Sequence, residues 1–222
     1  MNPHLSFNEA DREAVYRVIA GRRDVRRGFL DEPLPDDLIG RLLAAAHSAP
    51  SVGLMQPSRF IVIREQAIRK AVFQIFEAAN RRALDSYSGE RAERYAQLKL
   101  EGIREAPQNL CVLCDRAHER GHGLGRQTMP ETAIYSTVCA IQNFWLAARS
   151  EGVGVGWVSI LDPADIYKLL NIPDHLTLVA YLCFGYVAGF ASEPDLERFG
   201  WEKRVDAKTV ISYDRYSEDC VS

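Results

Sequence analysis

The sequence predicts a domain of mixed α and β character, and three observations lead there. Four short runs rich in apolar and β-branched residues, RFIVIR, NLCVLCD, VGWVSI and residues 176–187, have the length and composition of buried strands. Between them lie segments of helical periodicity, some opened by capping residues or closed by proline. At 222 residues and 47% hydrophobic content the chain can bury one sizeable core, and no repeat, low-complexity tract or linker divides it.

The elements follow in order. Ser6 and Glu9 have capping-box spacing ahead of Ala14, Val15 and Ile19, which predicts a first helix over residues 8–21. Pro35, Asp36 and Asp37 open a second, LIGRLLAAAHSA, and Pro50 ends it because its ring disfavours helical geometry at the preceding residue. SVGLMQPSRF reads as a loop, residues 59–64 as a strand and residues 65–83 as a helix. The charged segment 81–105 reads as helix with little apolar face, either an active-site lid or a plain exposed helix. Residues 109–115 form a strand, and RGHGLGRQTMP an irregular loop. Residues 131–150 are apolar on most sides, with Val138, Ile141, Trp145 and Leu146 as packing positions, so this helix needs partners on more than one face. The strand VGWVSI follows Gly152 and Gly154, Asp162 caps a helix with Pro163 at its first position, and residues 176–187 make the last strand. From Ala188 the chain is polar and aromatic, too weakly amphipathic for a core of its own, and is expected to wrap over another surface.

Composition excludes several classes. With 27 basic and 30 acidic residues the net charge is -3, so no global field attracts nucleic acid or an anionic membrane, and any bound anion must be held locally. Small-molecule partners fit this balance. No apolar stretch approaches the ~20 residues of a membrane helix, and the N-terminal segment carries acids where a signal peptide needs a basic and then apolar run, so a cytoplasmic location is expected. Five cysteines in apolar segments suit reduced thiols. Cys111 and Cys114, three apart on a strand, point to opposite faces and cannot readily share a metal or a redox disulfide. His118 and His122 lie in a loop without acids at ligand spacing, so no metal site is expected.

Three motifs carry chemistry. Arg22, Arg23, Arg26 and Arg27 surround Asp24 directly after the first helix; the forked donors of clustered guanidinium groups suit a phosphate, and a solvated charge run at a helix end is the equal alternative. Asp24, set among such neighbours, could act as a base or hydrogen-bond acceptor, or serve only as a local ion-pair partner. HSAPSVGLMQP offers the Ser51 hydroxyl, backbone amides and the flexible Gly53 to a planar polar ligand, although alone it is an ordinary turn. EGVGVGWVSI has alternate glycines and a terminal serine; the strand follows the glycines, so this is not the dinucleotide fingerprint, and close backbone approach remains.

RRDVRRGF, AAHSAPSVGLMQPSRFIVI, KLEGIREAP, AIYSTVCAIQNFWLAARSEGVGVGWVSI and the late GW before Lys203 and Arg204 resemble, in order and over nearly the whole chain, the signatures of the 5,6-dimethylbenzimidazole synthase family within the nitroreductase-like superfamily. Ordinary nitroreductases share the early arginines and the loop, but usually carry serine at the position of Asp24 and asparagine at that of Leu54.

The resemblance implies an α+β fold, a mixed and mainly antiparallel sheet flanked by helices, in a domain-swapped homodimer whose C-terminal extension (188–222) crosses to the partner. It implies FMN as cofactor, with Arg22, Arg23 and Arg26 and either Lys203 or Arg204 at the phosphate and ring edge, and Asp24 and Val25 in the same stretch. Pro50, Ser51 and Gly53 would reach the flavin from the partner subunit, and Gly156, Trp157, Val158 and Ser159 would line its ring. In that family reduced FMN is itself the substrate, supplied by a separate flavin reductase and cleaved with molecular oxygen to dimethylbenzimidazole, the lower ligand of vitamin B12, and erythrose 4-phosphate. Asp24 then reads as the catalytic base and Ser159 as the residue that positions oxygen, with 81–105 as a lid. The alternatives are an NAD(P)H-dependent FMN nitroreductase or quinone reductase and a non-catalytic flavin sensor.

Overall fold

The computed structural model describes residues 7–117 and 119–217, so Ser6, His118 and Cys220 lie outside the described residues. The first helix, α1 (Glu9–Gly21), is capped two residues later than the Ser6 and Glu9 spacing predicts. Asn8 Oδ1 accepts from the Asp11 amide and Asp11 Oδ2 from the Asn8 amide, each at 3.0 Å, because Asn8 with an acid three residues on makes an equally good box. α1 buries none of its residues.

The remaining elements are α2 (Asp36–His47), β1 (Ser58–Ile63), α3 (Gln66–Asp85), α4 (Gly89–Gln97), β2 (Gln108–Asp115), α5 (Thr132–Ser150), β3 (Val153–Val158), α6 (Pro163–Leu170), β4 (Leu176–Tyr186) and α7 (Asp195–Arg198). The strands form one sheet in the order β1-β2-β4-β3, every neighbouring pair antiparallel. A parallel contribution comes from one isolated bridge, Asp24 with Val155. The fold is therefore the expected α+β arrangement of a mainly antiparallel sheet with helices.

Alternation along β4 divides the core. Ala180, Leu182 and Phe184 face α2 and α5, where Leu42, Ile141 and Phe144 complete one cluster, with the Phe144 and Phe184 rings edge-on at 5.4 Å. Tyr181 and Cys183 face the other way, toward Val72 and Phe76 of α3 and Ile166 of α6. On β2, Cys111 belongs to this second cluster while Cys114 packs with Met55 and Ala133, so the two thiols do sit on opposite sides.

Three further expectations change. The third strand is 153–158 rather than 155–160, which leaves Ser159 exposed just beyond its end. Segment 81–105 is not one helix: residues 81–85 finish α3, α4 follows, and 98–105 is irregular. The irregular stretch is held by an ion-pair knot around the buried Glu101. Glu101 accepts from Lys99 Nζ and from the Ile103 amide, each at 2.7 Å, while Lys99 also reaches Glu105 at 2.7 Å, and Gly102 lies flat on Phe29 where a β-carbon would come within 2.6 Å. On α5, Ile141 and Trp145 are buried as expected and Leu146 half-buried, but Val138 is exposed beside Tyr135 and Cys139. Among the described residues no helix is long and apolar enough to cross a membrane.

Candidate active site

The site is built where the chain leaves α1. Two α5 side chains seize the carbonyls there: Arg149 Nε donates to Gly21 O at 2.9 Å and Trp145 Nε1 to Arg23 O at 3.1 Å. The next residues lie against β3, with the Val25 amide donating to Val155 O at 2.9 Å.

The alternate glycines make that approach possible. A β-carbon on Gly156 would fall 2.1 Å from Val25 O, and one on Gly154 would fall 3.2 Å from both Val25 methyl groups. With those atoms absent, backbone 24–25 settles on the strand and Val25 is buried. Asp24 is fixed as a result. Its Oδ1 accepts from the Trp157 amide at 3.0 Å and its Oδ2 from Arg26 at 2.5 Å, with the carboxylate side chain 31% accessible. Asp24 is therefore both a hydrogen-bond acceptor and a local ion-pair partner.

The arginines divide by task. Arg23 spends its terminal nitrogens on Ala20 O and Arg22 O, each at 2.8 Å, and on Ser192 O, which ties α1 to the C-terminal extension. Arg27 pairs with Asp195 at 3.6 Å. Arg22 lies over the Trp145 ring, 4.9 Å from its centroid. Burial pulls the Arg22 guanidinium below its ordinary pKa, Asp24 opposes, and the nearby charges of Arg204 and Arg23 add to the depression. Arg23 and Arg204 are thus both within electrostatic range of Arg22. Four buried side-chain atoms among the described residues lack a hydrogen-bond partner, and two of them, Arg23 Nε and Arg26 Nε, are in this cluster. A cavity of about 330 Å³ opens between Asp24, Arg26 and Arg27 on one side and Phe190, Asp195 and Arg198 on the other.

Ser159 lies two residues past Trp157, roughly 7 Å along extended chain. The loop carrying Pro50, Ser51 and Gly53 is placed differently. Ser51 Oγ accepts from the Gln56 amide at 3.1 Å, Ser136 Oγ accepts from the Val52 amide at 3.2 Å, and Gly53, at φ +60°, packs against Gly121 and Leu124. Among the described residues no hydrogen bond joins this loop to the Asp24 cluster. Sequence reasoning named Trp145 only as a packing residue and missed Arg149 as an anchor. Trp201, quoted there only as part of the late GW and given no role, is caged by Tyr87 and Tyr95. For Arg149 a signal existed in its place on the last turn of α5, where a long cation meets carbonyls.

The sequence model of the nitroreductase family matches residues 19–186. The chain belongs to that family. Among members of the nitroreductase family it is 46% identical, over 89% of its length and 93% of the other chain, to a 5,6-dimethylbenzimidazole synthase of Rhodospirillum rubrum. It is 43% identical, over 90% and 97%, to one of Rhodobacter capsulatus. The fold is that of a crystal structure of oxidized iodotyrosine deiodinase bound to FMN and 3-iodo-L-tyrosine, with TM-score 0.71, 21% identity and coverage of 91% of this chain and all of the other.

Proposed function

We propose that this nitroreductase-family chain is a 5,6-dimethylbenzimidazole synthase, which consumes reduced FMN and molecular oxygen and releases dimethylbenzimidazole and erythrose 4-phosphate. The observation that carries the reading is Asp24, a carboxylate held in a glycine notch of β3 between the Trp157 amide and Arg26. Near relatives so named support it.

The donor set fits FMN. Orphaned Nε donors on Arg23 and Arg26, and the like charges of Arg22 and Arg204, suit a phosphate dianion that satisfies and neutralises them together. When bound, the reduced flavin supplies both the electrons for oxygen and the carbon skeleton of the product. The chain's residues bind, orient and move protons. A carboxylate has about four lone-pair sites, and the two contacts on Asp24 leave capacity for a substrate proton. Ser159, exposed past the end of β3, is free of secondary-structure bonding and would orient oxygen beside the ring lined by Gly156, Trp157 and Val158.

A homodimer completes the reading. The exposed apolar positions Val15, Tyr16 and Ile19 of α1 and Tyr135 and Val138 of α5, with Val205, Val210, Ile211 and Tyr213 of the extension, form apolar surface suited to a second copy. That copy would bring Pro50, Ser51 and Gly53 to the flavin. Segment 81–105 as a lid, a separate flavin reductase as supplier and a cytoplasmic location belong to the same proposal. The four described cysteines, all free thiols, accord with a reducing compartment.

Purified protein given excess reduced FMN in air is expected to form dimethylbenzimidazole, detected by chromatography. Asp24→Asn keeps the acceptor for the Trp157 amide but not the base, so product formation should drop by about a hundredfold or more while FMN still binds. Undiminished product in that variant sinks the base assignment. Steady NAD(P)H oxidation without dimethylbenzimidazole would instead mark a conventional nitroreductase.

A further inference from the structure

Residues 192–204 form a strap between the arginine cluster and α4. At one end Arg23 donates to Ser192 O, Asp195 pairs with Arg27 at 3.6 Å and with Arg198 at 2.7 Å, and both guanidinium groups lie over Phe199 at 5.1 and 4.8 Å. At the other end Trp201 is edge-on to Tyr87 and Tyr95, with ring centroids at 5.6 and 6.0 Å. Beside it Arg94 of α4 donates to Gly200 O at 3.2 Å. Tyr95 is buried and donates to Asn80 Oδ1 of α3 at 2.8 Å, so the aromatic cage is anchored to the body of the fold.

Three residues beyond Trp201 stands Arg204, exposed, and its charge is felt at Arg22. Without an anion two like charges so placed repel. A phosphate dianion between them reverses the sign. We propose that Trp201 is a positioning residue: it latches α4 to the strap, so that an anion bridging Arg22 and Arg204 holds α4 in place. This rests on the reading of the arginine cluster as the FMN phosphate site and deepens it, since α4 is the helix of the proposed lid. Coupling of this kind is reciprocal, so the factor by which FMN steadies α4 equals the factor by which loss of the latch weakens FMN binding.

The experiment measures hydrogen exchange of peptides covering Gly89–Gln97 in the full chain, alone, with FMN, and with inorganic phosphate, alongside FMN binding followed by flavin fluorescence. In the wild type FMN should slow exchange in α4 by about tenfold, and inorganic phosphate should act in the same direction. Trp201→Ala should remove that response and weaken FMN by about the same factor, while Trp201→Phe restores both. Arg204→Ala removes both the repulsion and the anion contact, so it should not speed α4 exchange in the free protein yet should abolish the response of α4 to saturating FMN, which a merely structural role for Trp201 does not predict. Slowing of α4 by FMN in Trp201→Ala as in the wild type overturns the latch, and so does an α4 indifferent to bound FMN. Failure of the wild type to bind FMN overturns the cofactor reading instead, and the phosphate arm then decides the strap: no change in α4 at saturating phosphate rejects it.

Discussion

At Gly156 a β-carbon would fall 2.1 Å from the Val25 carbonyl oxygen, an approach no backbone atom can relieve without moving. Gly156→Ala should therefore lift the Asp24 segment off β3, costing about 1–3 kcal/mol of stability and most of the FMN affinity. Urea unfolding and flavin fluorescence measure the two losses, and a variant that keeps both would show the notch to be dispensable. Much of this residue-level picture was legible beforehand. A lone acid among arginines and glycines at alternate positions are local patterns, and the sequence argument reached both. The commitments of Arg23 were not legible, because one of its acceptors, Ser192 O, comes near only through the fold. Ser159 was placed on the strand because it stands between the β-branched Val158 and Ile160, whereas pairing with β4 stops at Val158.

The helices and strands were legible to within a residue or two wherever a cap or a proline marks the end. α6 shows why. Asp162 Oδ1 accepts from the Ala164 amide at 3.2 Å, Pro163 takes the first position, and Asn171 closes the helix at φ 52°. Asp162→Ala removes that cap and the 3.4 Å contact with Arg82, and should lower stability by about 1 kcal/mol, read as a smaller urea midpoint at unchanged slope. Residues 98–105 were misread for the opposite reason. Lys99, Glu101 and Glu105 look like solvated charge in a composition window, and only the tertiary position of Phe29 and β4 turns Glu101 into a buried carboxylate with its own cation.

For the whole molecule, the buried polar chemistry sets a pH limit. Burial pushes the Cys111 thiol up from 9.0 to about 12, and shifts Cys114, Cys183 and Tyr181 upward for the same leading reason. A group whose pKa rises on folding gives stability that is complete below its unfolded value and is lost as pH climbs toward the folded one. The urea midpoint should thus fall from neutral pH to about pH 10, and an unchanged midpoint would mean the thiols ionise freely in the native state. Assembly belongs at this scale too. The over-apolar α5 was legible as a helix needing a second partner, and Val138, 40% exposed, marks the uncovered face. Val138→Asp should convert a dimer to monomers by size-exclusion chromatography and remove FMN binding with it; a variant that stays dimeric moves the interface elsewhere. The bridge from Asp24 to Val155 has a last consequence. β3 is an edge strand, and an uncovered edge invites pairing with any other exposed strand. The Arg22–Arg26 segment occupies part of that edge and brings a charged rim to it. Variants that loosen it are therefore expected to form insoluble β-rich material during expression, so the proposed catalysis and the solubility of this chain answer to the same few residues.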